Sequence, residues 1–310
     1  MSESAAVHGR RTPADWALFT LLSLMWACAY LMTRLAVDKG HADAGLPAAW
    51  VIAGRLTIGA AVLWIILLAT GKRLPPLTDR VRWRTIVSMG LTGSVLPFFL
   101  ITTAQETVNS SLAALYTAAA PLFVASGAHF LFRDERLSRG SALGVLLGFA
   151  GVAVLFGPDA VRGFGSSSAT AQLLLVGATL CYAVSSLIAR GAPQMDAVAF
   201  ATGFVSVAAV MSWPLVLTVD AASVNAGWKN WLGVVGLGVG PSSIAQALYM
   251  LLIARTSATF LSLTGYSIPI MTAVLGFAVF GETQSWNAAL AFAMILGGVW
   301  LARHGGGARA

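Results

Sequence analysis

Arg55 is the one charge that this sequence places well inside a long apolar run. A guanidinium at that depth has two uses: a structural hydrogen bond to neighbouring carbonyls, or a grip on the carboxylate of a bound molecule. In either role it must face protein or water, because an arginine at the centre of a hydrocarbon layer costs about 2.5–3.5 kcal/mol even on lenient insertion scales. Other polar and aromatic groups recur at helical spacing. Trp26 and Tyr30 are one turn apart and share a helix face, and Tyr182 and Ser186 repeat that arrangement. Ser242, Gln246 and Tyr249 follow each other at helical spacing, while Tyr116 and Tyr266 lie close to Pro121 and Pro269. Together they would line an apolar pocket with a few hydroxyl and amide groups, which suits an amphipathic organic solute. Tyrosine and tryptophan also anchor at membrane interfaces, and that use accounts for Trp16, Trp50, Trp83, Trp228, Trp231, Trp286 and Trp300. Trp26, Tyr182, Gln246 and Tyr266 lie deeper, and Gln246 is the strongest candidate, since an amide in lipid needs an internal partner.

Reactive chemistry finds no support. The sequence has no His-Glu-x-x-His pair, no serine in a Gly-x-Ser-x-Gly elbow and no phosphate-binding Gly-Lys-Ser/Thr loop. His8, His41 and His304 fall in loops or tails, and His129, near a span end, reads as a packed or snorkelling residue. Cys28 and Cys181 stand singly inside apolar spans and read as small core residues. No cofactor, metal or enzymatic activity is expected.

The elements that must position these residues follow from composition. With 57% hydrophobic and 10% charged residues, against about 25% charged in soluble domains, the chain is no water-soluble globule; its mean hydropathy is +0.80. It divides into apolar runs near 16–37, 47–69, 83–102, 109–132, 139–157, 169–189, 196–218, 228–253, 257–280 and 285–303. Each is close to the ~20 residues that cross a hydrocarbon core of about 30 Å. Runs apolar on all sides are helices rather than barrel strands, which would alternate in polarity.

The net charge of +7 marks orientation rather than a nucleic-acid partner. Fourteen basic residues fall on the side of the termini: Arg10, Arg11, Lys72, Arg73, Arg80, Arg82, Arg84, Arg133, Arg136, Arg139, Arg190, Arg255, Arg303 and Arg309. The opposite side holds four, Arg34, Lys39, Arg162 and Lys229. That asymmetry places both termini in the cytoplasm.

The chain is also an internal repeat. At an offset of 148, Trp83 falls on Trp231, Gly90 on Gly238, Leu100 on Leu248, Leu115 on Leu263, Pro121 on Pro269 and Phe132 on Phe280. After a one-residue deletion the match resumes with Glu135 on Glu282 and Gly151 on Gly298. The connector around Gly157-Pro158 and Gly165 to Ser168 divides the chain into units 16–157 and 169–303, five spans each. Five is odd, so the second unit enters the membrane upside down. The expected fold is an all-α membrane protein of ten transmembrane helices in two inverted five-helix repeats, the architecture of solute carriers whose site lies between the halves. Pro121 and Pro269 each remove a helix hydrogen bond, as hinges of such a carrier or as static kinks. Gly144, Gly148 and Gly151 form a small-residue face for packing within the chain or, alternatively, in a homodimer. Glu135 and Glu282 read as helix-start acids.

The duplicated Pro-then-Glu pattern, the Gly-rich helix after each Glu and Arg55-Leu56 early in the second span carry a resemblance to the EamA branch of the drug/metabolite transporter superfamily. Within that branch the chain resembles the YddG-like exporters of aromatic and other amino acids. The resemblance implies a plasma-membrane carrier of small organic metabolites, with amino acids leading. An exporter of cationic drugs would want an acid inside the membrane; the acids here fall at span ends or in loops. That distribution also points to movement down the solute's own gradient or weak ion coupling, since relays place a carboxylate at depth. A membrane-embedded enzyme would need clustered His, Asp or Arg at one interface, and a non-transporting scaffold would leave the duplication unexplained.

Overall fold

A computed structural model describes residues 12–38, 45–131, 137–156, 167–220, 224, 226–256, 258–261 and 263–304. Glu135, His8, His41 and connector residues 157–166 lie outside the described residues; Ser167 and Ser168, expected in the connector, belong to a helix.

The helices begin where local chemistry satisfies their first N–H groups. α1 (Pro13–Val37) starts with a Thr12–Asp15 capping box and a proline at its first position. α2 (Ala48–Ala69) follows Pro47. α3 (Arg80–Gly90), capped by Asp79, runs through a π-turn at Leu91–Val95 into α4 (Leu96–Ala104). α5 (Ser110–Thr117) is capped by Asn109 and stops before α6 (Ala120–Leu131). α7 (Arg139–Phe156) and α8 (Ser167–Arg190) flank the connector. α9 (Ala197–Val216) is capped by Asp196. α10 (Trp228–Val239) passes through a second π-turn, Gly240–Ile244, into α11 (Ala245–Arg255). α12 (Ala258–Leu261), α13 (Thr264–Phe280) and α14 (Trp286–His304) complete the chain. Among the described residues, seven helical stretches are long and apolar enough to cross a membrane, and three shorter apolar helices accompany them.

Two of the expected spans are continuous but bulged, and two are broken. Pro97 and Pro241 explain the bulges: each lacks the N–H that would close an α-turn, and the π-turns bridge the gap with the bonds Leu96 N to Leu91 O and Ala245 N to Gly240 O. The break in the fourth span, between Thr117 and Ala120, immediately precedes Pro121. Pro269 instead lies within α13, and its span breaks earlier, between α12 and α13. The two matched prolines therefore do different structural jobs.

Several helix pairs have a sense fixed by their contacts. Trp64 donates to Ser206 at 3.0 Å and Trp213 to Thr57 at 3.2 Å, so α2 and α9 run antiparallel. α7 and α14 are likewise antiparallel, with Gly144 against Ala302 and Gly151 against Met294. The glycine face of α7 is thus used inside the chain. α1 packs antiparallel to α10, whose Asn230 caps the end of α1 by donating to the carbonyls of Leu35, Ala36 and Asp38 at 3.0, 3.2 and 3.0 Å. Ser23 meets Ser267 and Ala27 meets Thr272, so α1 and α13 are parallel.

These directions give the bundle two ends. One, the terminus end, holds Thr12, the turn after α2 and the start of α9, joined by the Lys72–Asp196 ion pair at 2.9 Å. The other, the far end, holds the end of α1, the α4–α5 turn and the α13–α14 turn, where Glu282 meets Ser110. Many large apolar side chains face outward, among them Ile65, Leu68, Val210, Val274 and Phe277. An apolar surface of that extent belongs in hydrocarbon.

Candidate functional site

At the centre of the bundle, α1, α2, α4, α5, α8, α11, α13 and both π-turn segments enclose a cavity of about 400 Å³. Trp26, Tyr30, Arg55, Tyr182, Ser186, Gln246 and Pro269 line it together with Phe98, Thr117, Gly93 and Pro241. Each π-turn contributes one residue to the wall, Gly93 from the first and Pro241 from the second.

The lining follows the sequence repeat. At an offset of 156, Trp26, Ala29 and Tyr30 correspond to Tyr182, Ser185 and Ser186; at 148, Gly93, Phe98, Thr117 and Ala120 correspond to Pro241, Gln246, Gly265 and Ile268. All of these positions face the cavity. Equivalent places are kept but their chemistry only in part: Trp26 matches the aromatic Tyr182, whereas Phe98 matches the amide of Gln246 and Tyr30 matches Ser186.

Arg55 breaks the equivalence most. It is 5% exposed, and its Nε and one Nη donate to the Ser242 hydroxyl at 3.1 Å each. Its guanidinium carbon stands 3.8 Å from the centre of the Phe98 ring. The structural tie expected to neighbouring carbonyls is instead made to a hydroxyl of the π-turn after α10, a segment that packs directly against α2. Among the described residues the ion pairs are Lys72–Asp196 and Arg82–Asp79, so none involves Arg55.

Four sequence candidates stand away from the wall. Ser242 lies behind Arg55 and holds it. Tyr249 packs on the Trp26 ring with centroids 5.6 Å apart, as a backing layer. Tyr116 is buried in the core, where it donates to Gln172, and Tyr266 packs against that same core cluster. Pro121 is outside this cavity and lines a second one of about 380 Å³, with Val124, Ala125, Ala128, Val299 and Ala302. That second cavity shares Ala120 and Ser186 with the first and reaches the terminus-end turns of α6 and α14. Phe98 was missed by sequence reasoning, although its repeat mate Gln246 was singled out; pairing candidates across the repeat would have found it.

Polar contacts join the helices at the far end. Tyr30 and Thr117 share a hydroxyl–hydroxyl bond. Gln105 donates to the Tyr30 carbonyl at 2.9 Å, and Arg34 donates to the Gln105 carbonyl at 2.9 Å. Glu282 receives the Ser110 and Ser111 N–H groups at 3.0 and 3.2 Å and both hydroxyls at 2.8–2.9 Å. Glu282 is indeed a carboxylate at a helix start, but the helix is α5 of the other half rather than its own neighbour α14.

The sequence profile of the EamA-like transporter family matches residues 16–157 and again residues 169–303. The chain is 28% identical over 293 residues to the aromatic amino acid exporter YddG of Ancylobacter novellus, across 94% of this chain and 97% of that protein. It is 25% identical over 295 residues to the uncharacterized inner membrane transporter YedA of Escherichia coli, across 92% of this chain and 90% of that one. A solved crystal structure superposes with a TM-score of 0.62 at 25% identity, over 93% of this chain and 97% of its counterpart.

Proposed function

The chain belongs to the EamA-like transporter family, and from that premise we propose that it exports amino acids, aromatic ones included, across the plasma membrane by alternating access. The proposed architecture is ten spans in two inverted five-helix repeats, 16–157 and 169–303, with both termini cytoplasmic. The antiparallel pairing of α2 with α9 and of α7 with α14 supports it, because an inverted repeat must oppose its equivalent helices.

The observation that carries the reading is the cavity whose walls come from repeat-related positions. A chamber on such an axis is offered equally to both membrane faces, and rocking the halves exchanges which face it meets. Here the Glu282 and Gln105 contacts close the far end, while the second cavity leads toward the terminus end. With cytoplasmic termini this is an inward-facing arrangement. Trp26, Tyr30, Phe98 and Tyr182 supply aromatic walls, and Gln246, Thr117 and Ser186 supply neutral hydrogen-bonding groups. Arg55 among them, with no acid among the described lining residues, weighs against cationic compounds.

Reconstituted vesicles and a panel of labelled amino acids test the proposal. The wild type is expected to move aromatic amino acids. Gln246→Ala and Trp26→Ala should lower the flux several-fold, and Tyr116→Phe, a core change, should leave it intact. A wild type that carries none of the panel would sink the proposal.

A further inference from the structure

We propose that Arg55 is a one-ended carboxylate clamp: the cavity takes the anionic end of its solute on the free edge of this guanidinium and rejects molecules of the same shape that lack a carboxylate. The inference rests on the cavity being the transport site and names the group that the site selects.

The geometry of the donors leads to it. A guanidinium carries five N–H groups in a rigid fork. Two of them, from Nε and one Nη, converge on the single Ser242 oxygen at 3.1 Å. Three N–H groups remain on the end of the fork, and among the described residues no other acceptor engages them. That end presents two parallel donors at the spacing of the two oxygens of a carboxylate. A purely structural arginine would spread its donors over several carbonyls; here one hydroxyl and one ring fix the plane. Phe98 holds the face at 3.8 Å and Ser242 holds the edge, so the fork is oriented before a ligand arrives.

The charge sits on one side only. The repeat counterpart of Arg55 lies near Phe204, in an apolar stretch of the α9 core. Among the described lining residues Arg55 is the one charged side chain, which gives the bound solute a head and a tail. Among the described lining residues an ammonium group finds neutral acceptors such as Gln246 and Thr117, and like charge at Arg55 repels an amine that has no carboxylate of its own.

Three compounds with one phenyl ring put the clamp to the test: L-phenylalanine, 3-phenylpropionate and 2-phenylethylamine. Their binding to the full chain in detergent is read by thermal shift and by tryptophan fluorescence. The amino acid and the acid should bind at least fivefold more tightly than the amine, and Arg55→Gln should remove that preference while Arg55→Lys keeps part of it. A preference below fivefold in the wild type, or one that survives Arg55→Gln, overturns the clamp. Should Arg55→Gln not fold, Ser242→Ala decides: affinity for the acid should fall with that for the amine unchanged, and equal changes overturn the clamp. If the preference is present but vesicles carry no aromatic amino acid, the transport reading falls and the clamp stands. If vesicles carry aromatic amino acids and the preference is missing, the clamp falls and the transport reading stands.

Discussion

Gly298 lies so close to Gly148 that a β-carbon on Gly298 would stand 2.5 Å from the Gly148 nitrogen and 2.6 Å from the Gly144 carbonyl oxygen. The atoms in the way are backbone, which cannot swing aside, so α7 and α14 pack this closely only because both carry glycine. Gly298→Ala should therefore lower the melting temperature in detergent, by an amount matching the roughly 1–3 kcal/mol of an overpacked core. Gly297→Ala is the control, since its β-carbon would meet only a Leu147 methyl at 3.9 Å. Equal melting temperatures for the two variants would refute the packing assignment.

Glu282 ties the last loop of the chain to the start of α5, and its removal should loosen the far end. Charged hydrogen bonds contribute about 1.5–3 kcal/mol each, though not additively. Around the same end, Gln105 Oε1 and the hydroxyls of Thr102 and Thr103 have no hydrogen-bond partner among the described residues, so opening would hydrate groups that closure leaves dry. In a background with Cys28 and Cys181 replaced by alanine, Thr33→Cys reports on the cavity wall. Labelling by an impermeant thiol reagent from the Glu282 face should rise when Glu282→Ala is added. Unchanged labelling would mean that this carboxylate caps a helix and gates nothing.

Asp196 has two kinds of partner at the terminus end, a lysine and the first N–H groups of α9, and they should be separable. Partial burial pushes its carboxyl up, but the Lys72 ammonium and the Val198 and Ala199 N–H groups hold it below the ordinary carboxylate value. A carboxyl with a depressed folded pKa stabilises above its unfolded pKa of about 3.9, and the contribution is lost as pH falls through the folded value. Thermal stability should thus be insensitive to this group from neutral pH down to about 5 and should decline below about 4. The side chains are 49% and 35% exposed, so the ion pair itself adds about 0–1 kcal/mol, and Lys72→Ala should change little. Asp196→Ala also removes the α9 cap and should cost about 0.5–2 kcal/mol. If Lys72→Ala proves the costlier of the two, this assignment is wrong.

Sequence and structure divide the site unevenly. Thr12, Asp79, Asn109 and Asp196 cap the helices that follow them through bonds between residues two or three apart, a local pattern that the reading of the sequence did not use. Trp26 with Tyr30 and Tyr182 with Ser186 reached the cavity because helical spacing fixes which residues share a face. Tyr116 looked equivalent and is in the core, since spacing says nothing of which face meets a chamber and which meets a neighbouring helix. The π-turns could have been suspected from Pro97 and Pro241, but that Gly93 and Pro241 meet the cavity depends on what surrounds them.

The order of amino acids was enough to dictate an all-helical chain for a membrane, duplicated, with one costly cation at depth: length of apolar runs, spacing and residue type are properties of the chain alone. Folding in three dimensions was needed to lean Arg55 on Ser242 and Phe98, and to set Glu282 on a helix of the other half. Partners 187 residues apart, as Arg55 and Ser242 are, meet through the packing of whole helices, and no local pattern encodes that meeting.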